Sequence, residues 1–330
     1  MANGKAIGYF SWPCAAILRS LFCCEIHPRM RVTLRQLKYF VAAAEQGSIV
    51  LASETISISQ PSISAAIAHL EAEYKVQLFI RHQAHGLSLT PVGREFLISA
   101  KVILQQVDGL RHAVDDMSAD LRGSLNVGCY RTFAPLIITD IVKKFDDDHP
   151  AVRVKIRELD QPQIVKALQN VEIELAVTYG VGLPSELIFE PLGKLAPYVL
   201  LNVGHRFANR GPLNLRDIAS EPFILFDFPL AREYFMSFFL HEGISPNIVA
   251  SSPSLEMVRS YVASGLGYSL AVARPRSDSA LNGKTIAYCP LQGEHAPIAI
   301  GIASLRELRK TRAMTVFEDI CRIMITRGLS

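Results

Sequence analysis

The spacing of the apolar residues changes near residue 123, and this change constrains the fold more than any other feature of the chain. Between residues 34 and 121 the apolar residues mostly recur every three or four positions, which is typical of helices. Beyond that point, short runs such as "SLNVGCY", "VRVKIREL" and "ELAVTYG" alternate with helical segments. Such alternation predicts α/β units with largely parallel sheets. Two separated sets of these units predict two lobes with a cleft between them.

The helical part predicts a helix-turn-helix followed by a wing. The first helix starts at Leu34 and stops at Gly47, and Ser48 suits the N-cap of a short second helix. Ser59 and Pro61 suit the start of the next helix, because proline is favoured in a first turn. The apolar face of that helix is predicted to carry Ile63, Ile67, Leu70 and Tyr74. Two alternating runs, "VQLFIR" and "GLSLT", then predict a β-hairpin.

A heptad seam follows, on a helix that Thr90 and Pro91 are expected to begin and Gly123 to end. The seam residues alternate in spacing between four and three positions: Phe96, Ala100, Ile103, Val107, Leu110, Val114, Met117 and Leu121. A seam on one helix needs a partner helix, so these residues are predicted to dimerise the chain. The alternative is that the helix packs on its own domain, although such helices usually show a wider apolar stripe.

Composition narrows the class of protein only slightly. The net charge of +3 is too small to indicate polyanion binding by itself. The six cysteines include no CxxC pair and no zinc spacing, which favours a cytoplasmic location and predicts no metal or other cofactor. The apolar run near the N-terminus is broken by Pro13 and Arg19, so no membrane contact is expected. Residues 1–29 are expected to be a disordered extension or an over-long start before Met30.

Four segments carry a family resemblance: "LRQLKYFVAAAEQGS", "SISQPSISAAIAHLE", "VQLFIR" and "LSLTPVGREFL". In order and spacing they resemble the N-terminal domain of LysR-type transcriptional regulators. The resemblance implies an α/β fold class with a winged helix-turn-helix, a long coiled-coil linker helix and a two-lobed effector domain like a periplasmic binding protein. The implied bounds are 30–90 for the DNA-binding domain, 91–122 for the linker and dimerisation helix, and 123–330 for the effector domain. Within the effector domain, lobe I is expected at about 123–190 and 274–330, and lobe II at about 191–273.

The resemblance also implies a function. Such a regulator binds double-stranded promoter DNA as a dimer or tetramer, responds to a small-molecule effector and, where it activates transcription, contacts RNA polymerase. The second helix of the motif would read base edges and the wing would touch phosphates. Carried over position by position, the DNA contacts are expected from Arg35, Ser59, Gln60, Ser62, Ser64, Ala65, His69 and Arg81. Family members commonly carry arginine at the positions of Ala65 and Ala68, so fewer phosphate contacts per domain are expected here.

The effector is expected in the cleft, near the carboxyl ends of strands. In the family, a hydroxyl residue after the first strand of this domain often holds a carboxylate, which points to Thr132, with Arg131 as a charge partner. Further effector contacts are expected from Phe133, Gln161, Thr178, Tyr179, Phe226, Asp227, Phe228 and Ser252. The aromatic residues suit an effector with a ring or an apolar body, whereas Asp227 speaks against a purely anionic pocket.

Three alternatives stay open. Peroxide-sensing members of the family use a pair of effector-domain cysteines, but here Cys129, Cys289 and Cys321 lie far apart in sequence. An enzyme is disfavoured because the chain contains no GxSxG, HExxH, GxGxxG or P-loop signature. A solute-binding protein would fit the two lobes but would not carry a helix-turn-helix.

Overall fold

The computed structural model describes residues 32–82, 86–115 and 121–328. The chain divides into two compact units between Gly93 and Arg94. The extension predicted for residues 1–29 lies outside the described residues. Within the described ranges, every helix is too short or too polar to span a lipid bilayer.

The N-terminal unit contains the predicted helix-turn-helix and wing. Gly47 ends the first helix in the left-handed conformation, with a φ of 59°. Ser48 caps the second helix, and Pro61 lies in the first turn of the third. The two wing strands pair antiparallel. In chain order the elements are α1 (Leu34–Gln46), α2 (Ile49–Ile56), α3 (Gln60–Tyr74), β1 (Phe79–His82) and β2 (Gly86–Leu89).

Helix α3 buries one face in the core of this unit. Ile63, Ile67 and Leu70 are buried, as predicted, and Ala66 joins them. These positions follow the i, i+3, i+4, i+7 pattern of an amphipathic helix. Tyr74 was predicted on the same face but is 41% exposed. It is the last residue of α3, so no further helical turn covers it.

The linker helix α4 (Pro91–Asp115) begins as predicted, because the Thr90 hydroxyl accepts a backbone hydrogen bond of 2.9 Å in the first turn. The prediction for its end was wrong. Gly123 does not cap a helix but opens β3 (Gly123–Tyr130), where it pairs with the neighbouring strand. Leu121 precedes that strand and is buried in the core of the C-terminal unit, so the structure places it inside one chain and not on a seam.

The heptad seam has a mixed environment within one chain. Ala100 is buried, whereas Ile103 is 42% exposed. Val102 is not a seam residue and is buried in the core of the C-terminal unit, so one side of α4 packs on its own domain, as in the alternative interpretation. The seam positions whose side chains lie outside the described residues are Leu110, Val114 and Met117.

The C-terminal unit continues with alternating strands and helices. In chain order they are α5 (Thr139–Asp148, preceded by a π-helical turn, Ala134–Ile138), β4 (Val152–Leu159), α6 (Gln161–Gln169), β5 (Leu175–Tyr179), β6 (Leu187–Leu195), β7 (Tyr198–Asn202), β8 (Leu213–Asn214), α7 (Leu215–Ile218), β9 (Pro222–Phe226), α8 (Ala231–His241), β10 (Asn247–Ser252), α9 (Leu255–Ala263), β11 (Ser269–Ala271), β12 (Ile286–Gln292), β13 (Ile298–Leu305) and α10 (Arg312–Gly328).

These strands form two lobes with mixed sheets. Lobe I has the strand order β4-β3-β5-β13-β6, in which β13 is antiparallel to both neighbours. Lobe II contains the order β11-β7-β12-β8 and the parallel pair β10-β9. The prediction of largely parallel sheets therefore holds for β4-β3-β5, β10-β9 and β12-β8. It does not hold for β13 with its two neighbours or for β7 with β11 and β12, which pair antiparallel.

The return from lobe II to lobe I lies later in the chain than predicted. The boundary was expected near residue 274, but β12 pairs antiparallel with β7 and so belongs to lobe II. The chain crosses back between β12 and β13, at about residues 293–297. Likewise β6 extends lobe I to Leu195, beyond the expected boundary at 190.

Candidate functional site

The N-terminal unit presents a polar, uncharged surface at the start of α3. Ser59, Gln60, Ser62 and Ala65 are exposed there. The Ser59 and Ser62 hydroxyls lie 2.8 Å apart and share a hydrogen bond. This bond ties the two serines together at the helix start and leaves the exposed Gln60 amide directed to solvent. An amide in this position can pair with the N6 and N7 groups of adenine.

The other predicted DNA contacts differ in exposure. Arg35 on α1 and Arg81 on β1 are exposed. Ser64 and His69 on α3 are half-buried, and His69 Nδ1 is withdrawn from solvent without a hydrogen-bond partner in the described part of the chain. His69 therefore directs one ring nitrogen into the domain, which makes it a poorer candidate for a base contact than Gln60.

The C-terminal unit encloses a cavity of about 1090 Å³ between its lobes. Lobe I contributes Arg131 and Thr132, which follow β3, and the π-helical turn after them. Lobe II contributes Phe226 and Phe228 at the end of β9 and the first turn of α9, with Leu255. The cavity is thus the cleft that the sequence predicts, and its volume is slightly above the usual range of small-molecule sites, about 300–1,000 Å³.

Thr132 and Arg131 have unused polar capacity at this cleft. Thr132 Oγ1 is withdrawn from solvent, and its polar neighbour is the Tyr179 hydroxyl. Burial raises the pKa of Tyr179 more than the contact with Thr132 lowers it, so the phenol stays protonated at physiological pH and can donate to Thr132 Oγ1. The Arg131 guanidinium lies over the Phe228 ring, 5.3 Å from its centroid. A threonine hydroxyl that accepts from Tyr179 still has its own proton to donate, so a ligand oxygen placed beside Thr132 would be stabilising.

A much smaller pocket adjoins the cleft at Thr132. Its walls include the rings of Tyr130, Tyr179 and Tyr234, and its volume is only about 20 Å³. The Tyr130 and Tyr179 rings are in edge contact, with centroids 4.9 Å apart. The Tyr130 hydroxyl of lobe I donates a 2.8 Å hydrogen bond to the Pro229 carbonyl of lobe II. The lobes are therefore joined beside the aromatic pocket.

Gln161 and Thr178, both predicted as effector contacts, are buried and bonded to each other. Thr178 Oγ1 donates to Gln161 Oε1 at 2.6 Å. Gln161 Nε2 donates to the backbone carbonyls of Tyr179 at 3.1 Å and Val181 at 2.7 Å. These bonds fasten α6 to the end of β5 and occupy both amide protons of Gln161. The pair supports the wall that carries Tyr179 and does not line the cleft.

The remaining predicted effector contacts have other partners. Phe133 is buried against Tyr179, with ring centroids 4.7 Å apart. Asp227 pairs with Arg232 at 2.9 Å and faces away from the cleft lining. Ser252 does not cap α9. Its hydroxyl accepts a hydrogen bond from the Ser254 N–H at 3.2 Å, and Ser254 is the N-cap.

The sequence interpretation missed the lobe II wall of the cleft. Pro253, Ser254, Leu255 and Glu256 line it at the start of α9. The serine-rich run "SSPS" signalled a helix start, but the cap is the last serine of that run. The cleft also contains three carboxylates, from Glu256, from Glu158 of β4 and from Asp146 of α5, and a second cation, Lys143. The carboxylates limit how much negative charge a ligand could bring.

The described cysteines and acidic residues indicate neither a metal centre nor a reactive thiol. No group of His, Cys, Asp and Glu within the described ranges could hold a metal ion. Cys129, Cys289 and Cys321 are free and buried. Burial raises the pKa of each of these thiols. A raised pKa disfavours the thiolate, which is the reactive form.

Two family models match the chain in the order of its two units. The model described as "Bacterial regulatory helix-turn-helix protein, lysR family" matches residues 34–94. The model described as "LysR substrate binding domain" matches residues 118–324. Together they cover the α3 surface and the cleft.

Individual proteins agree with these matches. The chain is 28% identical to the transcriptional dual regulator GltC of Bacillus subtilis over 239 residues, which is 72% of this chain and 79% of that protein. It is 37% identical to HinK, a LysR family transcriptional regulator from Pseudomonas aeruginosa, whose crystal structure superposes with a TM-score of 0.61 and covers 90% of this chain and 99% of that chain. Full-length OxyR from Pseudomonas aeruginosa has 25% identity and a TM-score of 0.71, over 89% of this chain and 99% of that chain.

Proposed function

Because this chain belongs to the LysR family of transcriptional regulators, we propose that its oligomer binds promoter DNA through α3 and that a small monocarboxylate with an apolar body binds in the cleft. The observation that carries the effector proposal is the Thr132 hydroxyl, which lies at the cleft wall beside the Tyr179 hydroxyl and next to Arg131, with its own proton available to a ligand. The family models match both the DNA-binding unit and the effector domain. The roles of Thr132 and of individual α3 residues are proposed.

A carboxylate suits the polar side of the cleft. One carboxylate oxygen would accept a hydrogen bond from Thr132, and Arg131 would supply a positive charge at the same edge. Charge-assisted hydrogen bonds of this kind are about twice as strong as neutral ones. Asp227 does not make the cleft unsuitable for an anion, because it is paired with Arg232 and does not line the cleft.

An apolar body suits the remaining lining. Phe226 and Phe228 stack with centroids 5.7 Å apart beside the cleft, and Leu255 faces them from the start of α9. Glu158 and Glu256 at the wall would repel a second carboxylate. A monocarboxylate with a ring or a branched aliphatic body satisfies both conditions.

The oligomer is proposed to form partly through α4. Ile103 is an apolar seam residue and is 42% exposed in the single chain, which supports a partner helix at that part of the seam. A pair of DNA-binding units would then be presented to two half-sites, and the linked contacts would add affinity that one unit lacks.

A thermal-shift screen tests the effector site. We expect a matching monocarboxylate at a hundred times its dissociation constant to stabilise the full-length protein by about 2.7 kcal/mol. Thr132→Ala and Arg131→Ala should lose most of that shift, because each removes one polar partner of the ligand. Arg232→Ala is the matched control, since Arg232 pairs with Asp227 outside the cleft lining. An unchanged shift in both cleft variants would show that the carboxylate binds elsewhere.

The buried thiols are expected to be unreactive in the folded protein. We expect iodoacetamide at pH 8 to leave Cys129 and Cys321 unmodified over minutes and to alkylate both after unfolding in urea, because burial raises their pKa and excludes the reagent. Peptide mass spectrometry measures the modified fraction. Rapid modification of native Cys129, together with altered DNA binding, would instead favour a thiol-redox regulator.

A further inference from the structure

A second cavity lies between the lobes, beside the cleft. Its volume is about 100 Å³, which is room for several water-sized groups. Lobe I contributes an apolar floor that includes Ile137, Ile300 and Ile325, and lobe II contributes Arg274 and Arg276. Apart from these two arginines, the described lining residues are apolar.

The two arginines differ in how the protein engages them, because the Arg274 guanidinium also lies over the Tyr288 ring, 4.3 Å from its centroid. Arg274 pairs with Asp278 at 3.3 Å, and both side chains are half exposed. Arg276 pairs with Asp140 at 3.7 Å and is 90% exposed. Exposed ion pairs of this kind contribute little to stability. Arg276 can therefore turn to an anion at the cavity without a large loss elsewhere, and Arg274 can meet the anion from its position over the Tyr288 ring.

Hydrogen bonds from buried side chains hold the backbone of the loop that carries these two arginines. Arg259 is almost fully buried in α9 and donates to the carbonyls of Ser277 at 3.0 Å and Ser279 at 2.9 Å. The Tyr198 hydroxyl donates to the Ala273 carbonyl at 2.7 Å, just before Arg274. The loop is thus anchored on both sides of the arginine pair, which lowers the ordering cost of binding.

We propose that this cavity is a second binding site, for a small monocarboxylate whose apolar tail lies on the lobe I floor and whose carboxylate faces Arg274 and Arg276. The combination of an apolar floor with cations at the mouth is what such a ligand requires. Neither uncharged alcohols nor cations meet both requirements. This site does not depend on the effector proposed for the cleft.

The cleft and the second cavity share a wall, so an experiment must distinguish binding in one from binding in the other. Leu136 lines both cavities, and Pro275, between the two arginines, lines the cleft. A carboxylate that binds the protein could therefore occupy either site. Variants at the arginine pair and at Thr132 separate the two, because Thr132 lines the cleft and not the second cavity.

The test is calorimetric titration of the full-length protein with acetate, butanoate, hexanoate and octanoate. Each added methylene that enters the cavity should tighten binding about fourfold, corresponding to about 0.8 kcal/mol, and the affinity should level off once the cavity is full. The double variant Arg274→Gln, Arg276→Gln should weaken hexanoate binding at least tenfold. Arg309→Gln is the matched control, since Arg309 is exposed and lines neither cavity, and it should bind as the native protein does.

A second variant tests the cavity without changing the arginine loop, in case the double arginine variant misfolds. Ile137→Phe fills the cavity floor without touching either arginine and should make the affinity level off at a shorter acid. The proposal is overturned if the native protein binds none of the acids. It is also overturned if Thr132→Ala abolishes binding while the double arginine variant binds as before, because the acids would then lie in the cleft.

Discussion

Replacement of Gln60 by alanine is expected to weaken operator binding more than any other single change on the surface of α3. A bidentate contact to a base edge is worth about 1–3 kcal/mol, and a dimer makes the contact twice. We therefore expect a loss of roughly 2–6 kcal/mol for a palindromic site. Fluorescence anisotropy with DNA selected for binding by the native protein measures the change.

The size of this effect follows from how little positive charge surrounds Gln60. Residues 31–94 contain six Lys and Arg against four Asp and Glu, so phosphate contacts supply less of the affinity than in an arginine-rich domain. Ala65 is exposed one turn further along α3 and adds no charge. Base-edge contacts should therefore carry a larger share of both affinity and specificity.

Gln46→Ala is the matched control for this experiment. Gln46 is an exposed glutamine at the end of α1 in the same unit, outside the start of α3. It should change binding by less than about 0.5 kcal/mol, as surface substitutions usually do. If Gln60→Ala behaved like Gln46→Ala, α3 would not read bases through this residue.

The N-terminal unit could be predicted closely because its boundaries are set by local chemistry. Gly47 tolerates the left-handed backbone that ends α1, Ser48 caps α2, and Pro61 fits the first turn of α3. Each signal acts within four residues of its effect, so the sequence contains it directly. Tyr74 was the exception, since its exposure depends on where the helix ends.

The C-terminal sheets could be predicted less well because their order depends on pairing between distant strands. The sequence does not say that β12 joins β7 or that β13 returns between β5 and β6. The lobe boundary was placed too early for that reason. The heptad spacing was ambiguous for a similar reason. An apolar residue such as Leu121 can pack either against a partner helix or in the core of its own domain, and Leu121 lies in the core.

The predicted effector contacts divide according to side-chain direction, which spacing alone does not give. Thr132 and Phe228 follow strand ends and line the cleft, and their contact with an effector stays a prediction. Gln161 and Thr178 also lie at element ends, but they turn inward and satisfy each other. Buried polar groups need hydrogen-bond partners, and Gln161 and Thr178 supply the acceptor and the donor for each other. A polar residue at a strand end therefore indicates either a ligand contact or a support for one.

Arg259 is a buried cation at the centre of a hydrogen-bond network in lobe II. It is 2% exposed, and its guanidinium donates to the Tyr288 hydroxyl and to the Ser277 and Ser279 carbonyls. Its carboxylate neighbour, Glu256, lies 3.3 Å away and is 43% exposed. The Arg259 cation is thus buried, whereas its partner Glu256 lines the cleft. Arg259 therefore connects α9 to the loop of Ser277 and Ser279 and to the cleft wall.

Replacement of Arg259 by alanine is therefore expected to lower the free energy of unfolding by about 3–5 kcal/mol, which is the cost of breaking a buried ionic network from one side. Most of the loss should come from acceptors left unpaired and from the space vacated, because water can solvate Glu256. Arg232→Ala removes an equally direct ion pair, with Asp227, but at the surface, and should cost less than about 1 kcal/mol. Urea unfolding of both variants measures the difference. Equal losses would mean that the contacts of Arg259 are no more than surface contacts in their energetic effect, and that the loop bearing Arg274 and Arg276 is held by other means.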